Sequence, residues 1–108
     1  DARVAELATA VVRAADQLAE RFSGQTLLFN RLFDACVDGV RLVGRVDVIA
    51  VAADGAWTAV DVKYVSDGLT GDAVEWEQQA EYIRRATDHV SGGRVADVVR
   101  LVVELPSG

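Results

Sequence analysis

Two aspartates and a lysine near the middle of the chain have the types and spacing that could do chemistry: Asp47, closing the string Gly44-Arg45-Val46-Asp47, and Asp61 and Lys63, in Val60-Asp61-Val62-Lys63. Carboxylate oxygens are the ligands that a hard divalent cation such as Mg²⁺ takes, and such an ion polarises a phosphoryl group and lowers the pKa of a bound water. A neighbouring ammonium stabilises charge on the pentavalent transition state of phosphodiester hydrolysis or, with its pKa pulled down, takes a proton from the attacking water. Desolvation lowers a lysine's pKa and nearby carboxylates raise it, so the sequence leaves both roles open. A lone Asp-x-Lys is also what a solvated ion pair on an exposed strand looks like.

The trio works only if the backbone brings it together. Apolar residues at three- and four-residue steps (Val4, Leu7, Ala8, Val11, Val12, Ala15, Leu18, Ala19) predict an amphipathic helix over 2–22, ended by Ser23-Gly24. The spacing in 26–37 does not separate strand from helix, but its position and shortness favour a strand. After the Asp38-Gly39 turn signal, the β-branched run 40–53 reads as a long strand, and 57–65 as its partner across Asp54-Gly55. Residues 66–71 read as a loop and Asp72 as the N-cap of a helix over 72–89, whose inner face carries Trp76, Ala80, Ile83 and Val90. Ser91-Gly92-Gly93 breaks that helix, and 95–105 forms a last strand before Pro106. The order is helix, three strands, helix, strand, without an internal repeat, which predicts an α+β fold.

On a strand, Asp61 and Lys63 project from one face. Asp47 stands opposite Asp61 only if the connection holds an odd number of residues, whereas a strict two-residue turn sends them to opposite faces. A three-residue loop or a β-bulge is therefore expected, with Gly44 or Ala52-Ala53 as the places for a bulge.

GRVD (44–47), a turn, VDVK (60–63) and then Gln78-x-x-x-Tyr82 on the following helix resemble the PD-(D/E)XK nuclease superfamily, which includes restriction endonucleases and RecB-like nucleases. The resemblance covers nearly the whole chain. It implies a restriction-endonuclease-like αβββαβ core, a central mixed sheet flanked by helices, over one domain spanning 1–108. It implies metal binding by Asp47 and Asp61 with Lys63 beside them, Gln78 and Tyr82 flanking the site, and Mg²⁺ as cofactor with Mn²⁺ as a substitute. Many members add a glutamate from the first helix. Here Glu6 and Glu20 are available: Glu20 lies close to the helix end, while the placement of Glu6 resembles that in resolvase-like members, so Glu6 is taken as the third metal ligand, the alternative being that both are solvated surface residues.

Further residues invite roles and have plainer readings. Arg84, Arg85 and Arg94 can contact phosphate, Arg85 following Gln78 and Tyr82 on one helical stripe, or can be solvated. His89 ends that stripe, where a histidine ordinarily serves the helix dipole. Trp57 and Trp76 suit core packing better than base stacking. Cys36, the only cysteine, reads as a small buried residue.

With 51% apolar and 26% charged residues, 108 residues make one globular domain. The apolar runs are far shorter than the ~20 residues of a membrane helix, so a soluble protein is expected. Its net charge of −6 argues against non-specific nucleic-acid binding, which needs Lys and Arg to neutralise phosphates; a nuclease reading requires binding through the metal and a local basic cluster. Methionine is absent and the chain begins at Asp1, which reads as a segment cut from a longer polypeptide.

Within the superfamily, VDVKYV (60–65), the small size and the signs of excision look like the nuclease domains at the C-terminal ends of bacterial polymorphic toxins. That resemblance implies a DNase delivered into the cytoplasm of a target cell and neutralised in its producer by an immunity protein. A cytoplasmic DNA-repair or restriction nuclease domain, a catalytically inactive nuclease-fold protein-binding module, and an unrelated α+β domain stay open beside it.

Overall fold

A computed structural model describes residues 2–65 and 73–104; the expected 66–71 loop, the Asp72 cap and Leu105 lie outside the described residues. Within them the chain runs α1 (Ala2–Arg21), β1 (Thr26–Val37), β2 (Val40–Val51), β3 (Trp57–Val65), α2 (Ala73–Ser91) and β4 (Val95–Glu104), the order the sequence predicts. The strands form one mixed sheet, β1-β2-β3-β4, antiparallel as far as β3, with β4 parallel to β3. A parallel neighbour needs a crossover, and α2 supplies it. The fold is α+β, with α1 on one face of the sheet and α2 on the other.

Both hairpin turns follow from their Asp-Gly pairs. Asp38 and Gly39 take φ of 52° and 78°, left-handed conformations that close a two-residue turn between the paired Val37 and Val40. The second connection is a residue longer: Ala52 N–H donates to Ala56 O and Gly55 N–H to Ala52 O, both at 2.9 Å, leaving Ala53, Asp54 and Gly55 as a three-residue loop. Gly55 takes φ of 88°, and the Asp54 carboxylate accepts from Ala56 N–H at 3.0 Å. With that odd count Val51 pairs with Trp57 and Val48 with Val60, so the next residues in register are Asp47 and Asp61.

The core has two layers. Ala10, Ala14, Leu18 and Phe22 pack on Val48, Ala50, Val60, Leu101 and Val103. Across the sheet, Ile83 and Ala86 meet Phe33, Leu42, Val46, Ile49 and Ala59. Fully burying a valine such as Val60 contributes about 1.5–3 kcal/mol. The face α1 presents is not the bulky one its periodicity suggests. Val4, Leu7, Val11 and Val12 are 63%, 48%, 56% and 59% exposed, because the small Ala10 and Ala14, one i,i+4 row with Leu18, let the helix axis approach the sheet. Cys36 is likewise exposed rather than buried. It shares the solvent face of the β1–β2 arm with its cross-strand neighbour Arg41 and with Asp34, whereas Phe33, Ala35 and Leu42 turn inward. On that face Arg41 donates to both Asp34 oxygens at 2.9 and 2.7 Å, which holds the Asp34 carboxyl below its ordinary range.

Candidate functional site

The site forms where β2 and β3 part company. Their pairing ends at Val48 and Val60; beyond it β2 keeps only β1, and β3 keeps only β4. Asp47 stands at the fork, and its Oδ2 accepts the Val62 N–H at 2.8 Å, so a side chain takes over the backbone ladder. Arg45 Nη2 lies 3.6 Å from the other oxygen. The strand changes parity here. Val46 packs on the α2 side and Val48, two residues on, under α1, so β2 gains one step of twist at Asp47. Opposite it, β1 turns at Asn30, whose φ of 53° is a left-handed conformation that asparagine tolerates. The three-residue loop already supplies the odd connection, so the turn of β2 at Asp47 and of β1 at Asn30 is a separate feature and not the bulge looked for at Gly44 or Ala52-Ala53. Gly44 answers a packing demand: a Cβ there would come 2.7 Å from Cζ of its cross-strand neighbour Phe33.

One step along β3, Asp61 has an opposite charge built against it. Its pair in the parallel register is Arg100. Val60 and Val62 pack towards α1, so Asp61 turns the other way, and Arg100 Nε donates to its Oδ2 at 2.9 Å. The guanidinium is held from two more sides: Nη2 donates to Gln79 Oε1 at 2.9 Å, and Cζ lies 4.2 Å from the Trp76 ring centroid. The two side chains are only 14% and 17% exposed, so each charge is compensated mainly by the other and only in part by water. Lys63 shares the strand face of Asp61, as its spacing requires.

Asp47 and Asp61 line a common groove of about 710 Å³, with Asn30, Arg45 and Gln79 at its polar end. Its other wall is apolar, from Val11 and Leu18 of α1 to Phe29 and Tyr64 of the sheet. Lys63, half-buried, stands outside that lining, and so do Glu6 and Glu20; Glu20 borders a separate depression with Gln17, Arg21 and Leu101. Glu6 is thus not brought to the aspartates as the third ligand, and among the described residues no group of three or more His, Cys, Asp or Glu could hold a metal ion. Glu6 stands one turn before Ala10 in the inward row of Ala10, Ala14 and Leu18 and is half-buried, so it lies on the sheet side of α1 without lining the groove. What the structure assembles is two carboxylates. That donor set suits Mg²⁺, which keeps several waters and takes one or two carboxylates together with substrate phosphates, and does not suit a cation that needs an all-protein cage.

Of the motif on α2, neither Gln78 nor Tyr82 lines the groove; Tyr82 instead reaches the free edge of β2 at Val43, four residues before Asp47. The Tyr82 hydroxyl accepts from Val43 N–H at 2.8 Å and donates to Val43 O at 2.9 Å, satisfying the edge of β2 that β3 has left, while its ring lies 5.9 Å from that of Phe33. Gln78 is exposed, and its neighbour Gln79 occupies the site. Arg84 and Arg85 form exposed pairs with Asp97 and Asp38 at 4.0 and 3.5 Å, and neither they nor Arg94 line the groove. His89 is exposed in the last turn of α2. Trp57 packs against the α2-side core as expected, whereas Trp76 serves as the surface under Arg100.

Arg100, Gln79 and Asn30 are site residues that motif spacing missed. Arg100 did carry a signal: a lone charge between Val99 and Leu101 in an apolar strand needs a partner on the neighbouring strand. The chain matches no protein-family model, no curated protein and no solved structure.

Proposed function

We propose that the domain is a divalent-metal-dependent nuclease that hydrolyses DNA phosphodiester bonds at the fork between β2 and β3. The observation that carries this reading is the approach of Asp47 and Asp61 to one groove from adjacent strands, in the register that the three-residue loop sets. When bound, Mg²⁺ supplies Lewis-acid polarisation of the scissile phosphoryl group. The chain's own residues do the rest. Asp47 and Asp61 would hold the cation, and the Val62 N–H fixes the orientation of the Asp47 carboxylate. Arg100, carried on Gln79 and Trp76, is a positioning residue that holds the Asp61 carboxylate in place. Lys63, on the strand face of Asp61, supplies positive charge for the transition state. The restriction-endonuclease-like core belongs to this proposal, as does the setting: the effector domain of a bacterial polymorphic toxin, acting on DNA in the target-cell cytoplasm and held in check by an immunity protein. No described helix is long and apolar enough to cross a membrane.

One observation favours a second reading. The Asp61 carboxylate is already paired and Lys63 stands outside the groove, as fits a nuclease fold kept as a protein-binding module without activity. Digestion of supercoiled plasmid with Mg²⁺, Mn²⁺ or EDTA separates the two. The nuclease reading expects metal-dependent nicking that falls at least about a hundredfold in Asp47→Asn and Asp61→Asn, the scale of losing an electrostatic contributor to the transition state. A folded wild-type domain that leaves plasmid intact with either metal would favour the binding module.

A further inference from the structure

Resting on the nuclease reading of this groove, we infer that its substrate is single-stranded or unpaired DNA, gripped by base stacking on Phe29 and Tyr64 rather than by phosphate contacts. Two observations meet here. The described lining of the groove is poor in positive charge: among the described residues Arg45 is the one basic residue in it, and that guanidinium faces Asp47, in a chain of net charge −6. A duplex binder draws most of its affinity from neutralised phosphates, and this lining does not supply it. Meanwhile two aromatic rings stand open in the same groove. Phe29, opposite Val48 on the α1 side of the sheet, is 56% exposed, and Tyr64 is 40% exposed, although the buried core under α1 lies beside both.

Stacking on exposed rings is a sequence-tolerant way to hold bases, and only unstacked bases can use it, since those of a duplex are already stacked on one another. The volume of the groove, about 710 Å³, falls in the range of about 300–1,000 Å³ that compact organic ligands fill. Asn30 and Gln79 line its polar end, where side-chain amides can hydrogen-bond a base edge. Bases held on Phe29 and Tyr64 would keep an adjoining phosphate in the groove that Asp47 and Asp61 also line.

The test measures binding apart from cleavage. Fluorescence anisotropy is read on a labelled 12-nucleotide mixed-sequence DNA, alone and annealed to its complement, with Ca²⁺ in place of Mg²⁺ and gels confirming that the label stays intact. The single strand is expected to bind at least about tenfold more tightly than the duplex, with a log–log salt slope no steeper than about −1, because few phosphates are neutralised. Phe29→Ala and Tyr64→Ala should each weaken it by about 5- to 100-fold, while Phe29→Tyr and Tyr64→Phe retain it. Both rings are exposed, so the variants should melt like the wild type, which separates lost binding from lost folding. Equal or tighter duplex binding, no binding, or alanine variants that bind like the wild type would each overturn the inference. The two claims fail separately: plasmid nicking without strand preference removes this one and leaves the nuclease, whereas ring-dependent single-strand binding by a domain that cuts neither plasmid nor oligonucleotide removes the nuclease and leaves a single-strand-binding groove.

Discussion

The two halves of the β2–β3 pairing are built on opposite principles. From 48 to 51 on β2 and from 57 to 60 on β3 the strands are zipped by backbone bonds, and Val48, Ile49, Ala50, Ala59 and Val60 are buried. One residue further the ladder stops, and side chains do its work: Asp47 takes the Val62 N–H, Tyr82 takes both backbone groups of Val43, and Arg100 answers Asp61. Apolar strands must pair their own polar backbone groups because nothing else buried with them can. Where polar side chains can satisfy those groups, strands are free to separate, and the separation opens a groove. The buried pairing lives in the zipped half and the proposed chemistry in the parted half, one residue apart on each strand.

Moving the chemistry across that boundary breaks the comparison most severely. Val60→Asp puts a carboxylate one residue from Asp61, but at a site with 0% exposure and no cation opposite. Burying an unpaired charge should cost at least about 4 kcal/mol, a large part of the total stability of an ordinary domain, and the variant should show little cooperative thermal unfolding by circular dichroism. A melting temperature within a few degrees of the wild type would mean that the two halves are not distinct.

Removing the counter-charge from the parted half comes next. Arg100→Met leaves Asp61 with 17% exposure and no ion-pair partner, and urea unfolding should show a loss of about 2–3 kcal/mol, below the full cost of breaking a buried pair because some water reaches it. Adding Asp61→Leu should recover most of that loss, since an apolar pair needs no charge compensation. If the double variant is as unstable as the two single losses added, Arg100 stabilises through Trp76 and Gln79 alone.

What the sequence made legible divides along the same boundary. Asp38-Gly39 and Asp54-Gly55 announce their turns, and the β-branched runs between them announce the strands, because those signals are local. That Asp47 and Asp61 come to the same end of the β2–β3 pairing and line one groove agrees with the need for an odd connection, which the three-residue loop satisfies. Rotation and approach are where local signals end. Gln78 and Gln79 differ by about 100° around a helix, and a motif spacing says nothing about which one the packing of α2 turns to the sheet. On α1, periodicity weights the bulky Val4, Leu7, Val11 and Val12, while the contact is decided by how closely a helix can approach, which Ala10 and Ala14 permit. Arg100 pairs with a residue far back in the chain, and only the parallel register of β4 reveals which one.

The smallest effect discriminates most finely between structural and chemical roles at the fork. Tyr82→Phe removes the hydroxyl that bridges the two backbone groups of Val43 and leaves the ring beside Phe33. Because Tyr82 is 38% exposed, water can replace part of what is lost, so the cost should be about 1 kcal/mol. The Val43 amide should exchange its hydrogen faster, while amides in the zipped segment, such as that of Ala50, should slow or quicken only with global stability. A tyrosine whose work is to close a strand edge loses protection at Val43 and keeps the nicking rate at saturating metal. A tyrosine that acts on the substrate does the reverse, and a lowered rate with unchanged exchange at Val43 would move Tyr82 from the scaffold into the site.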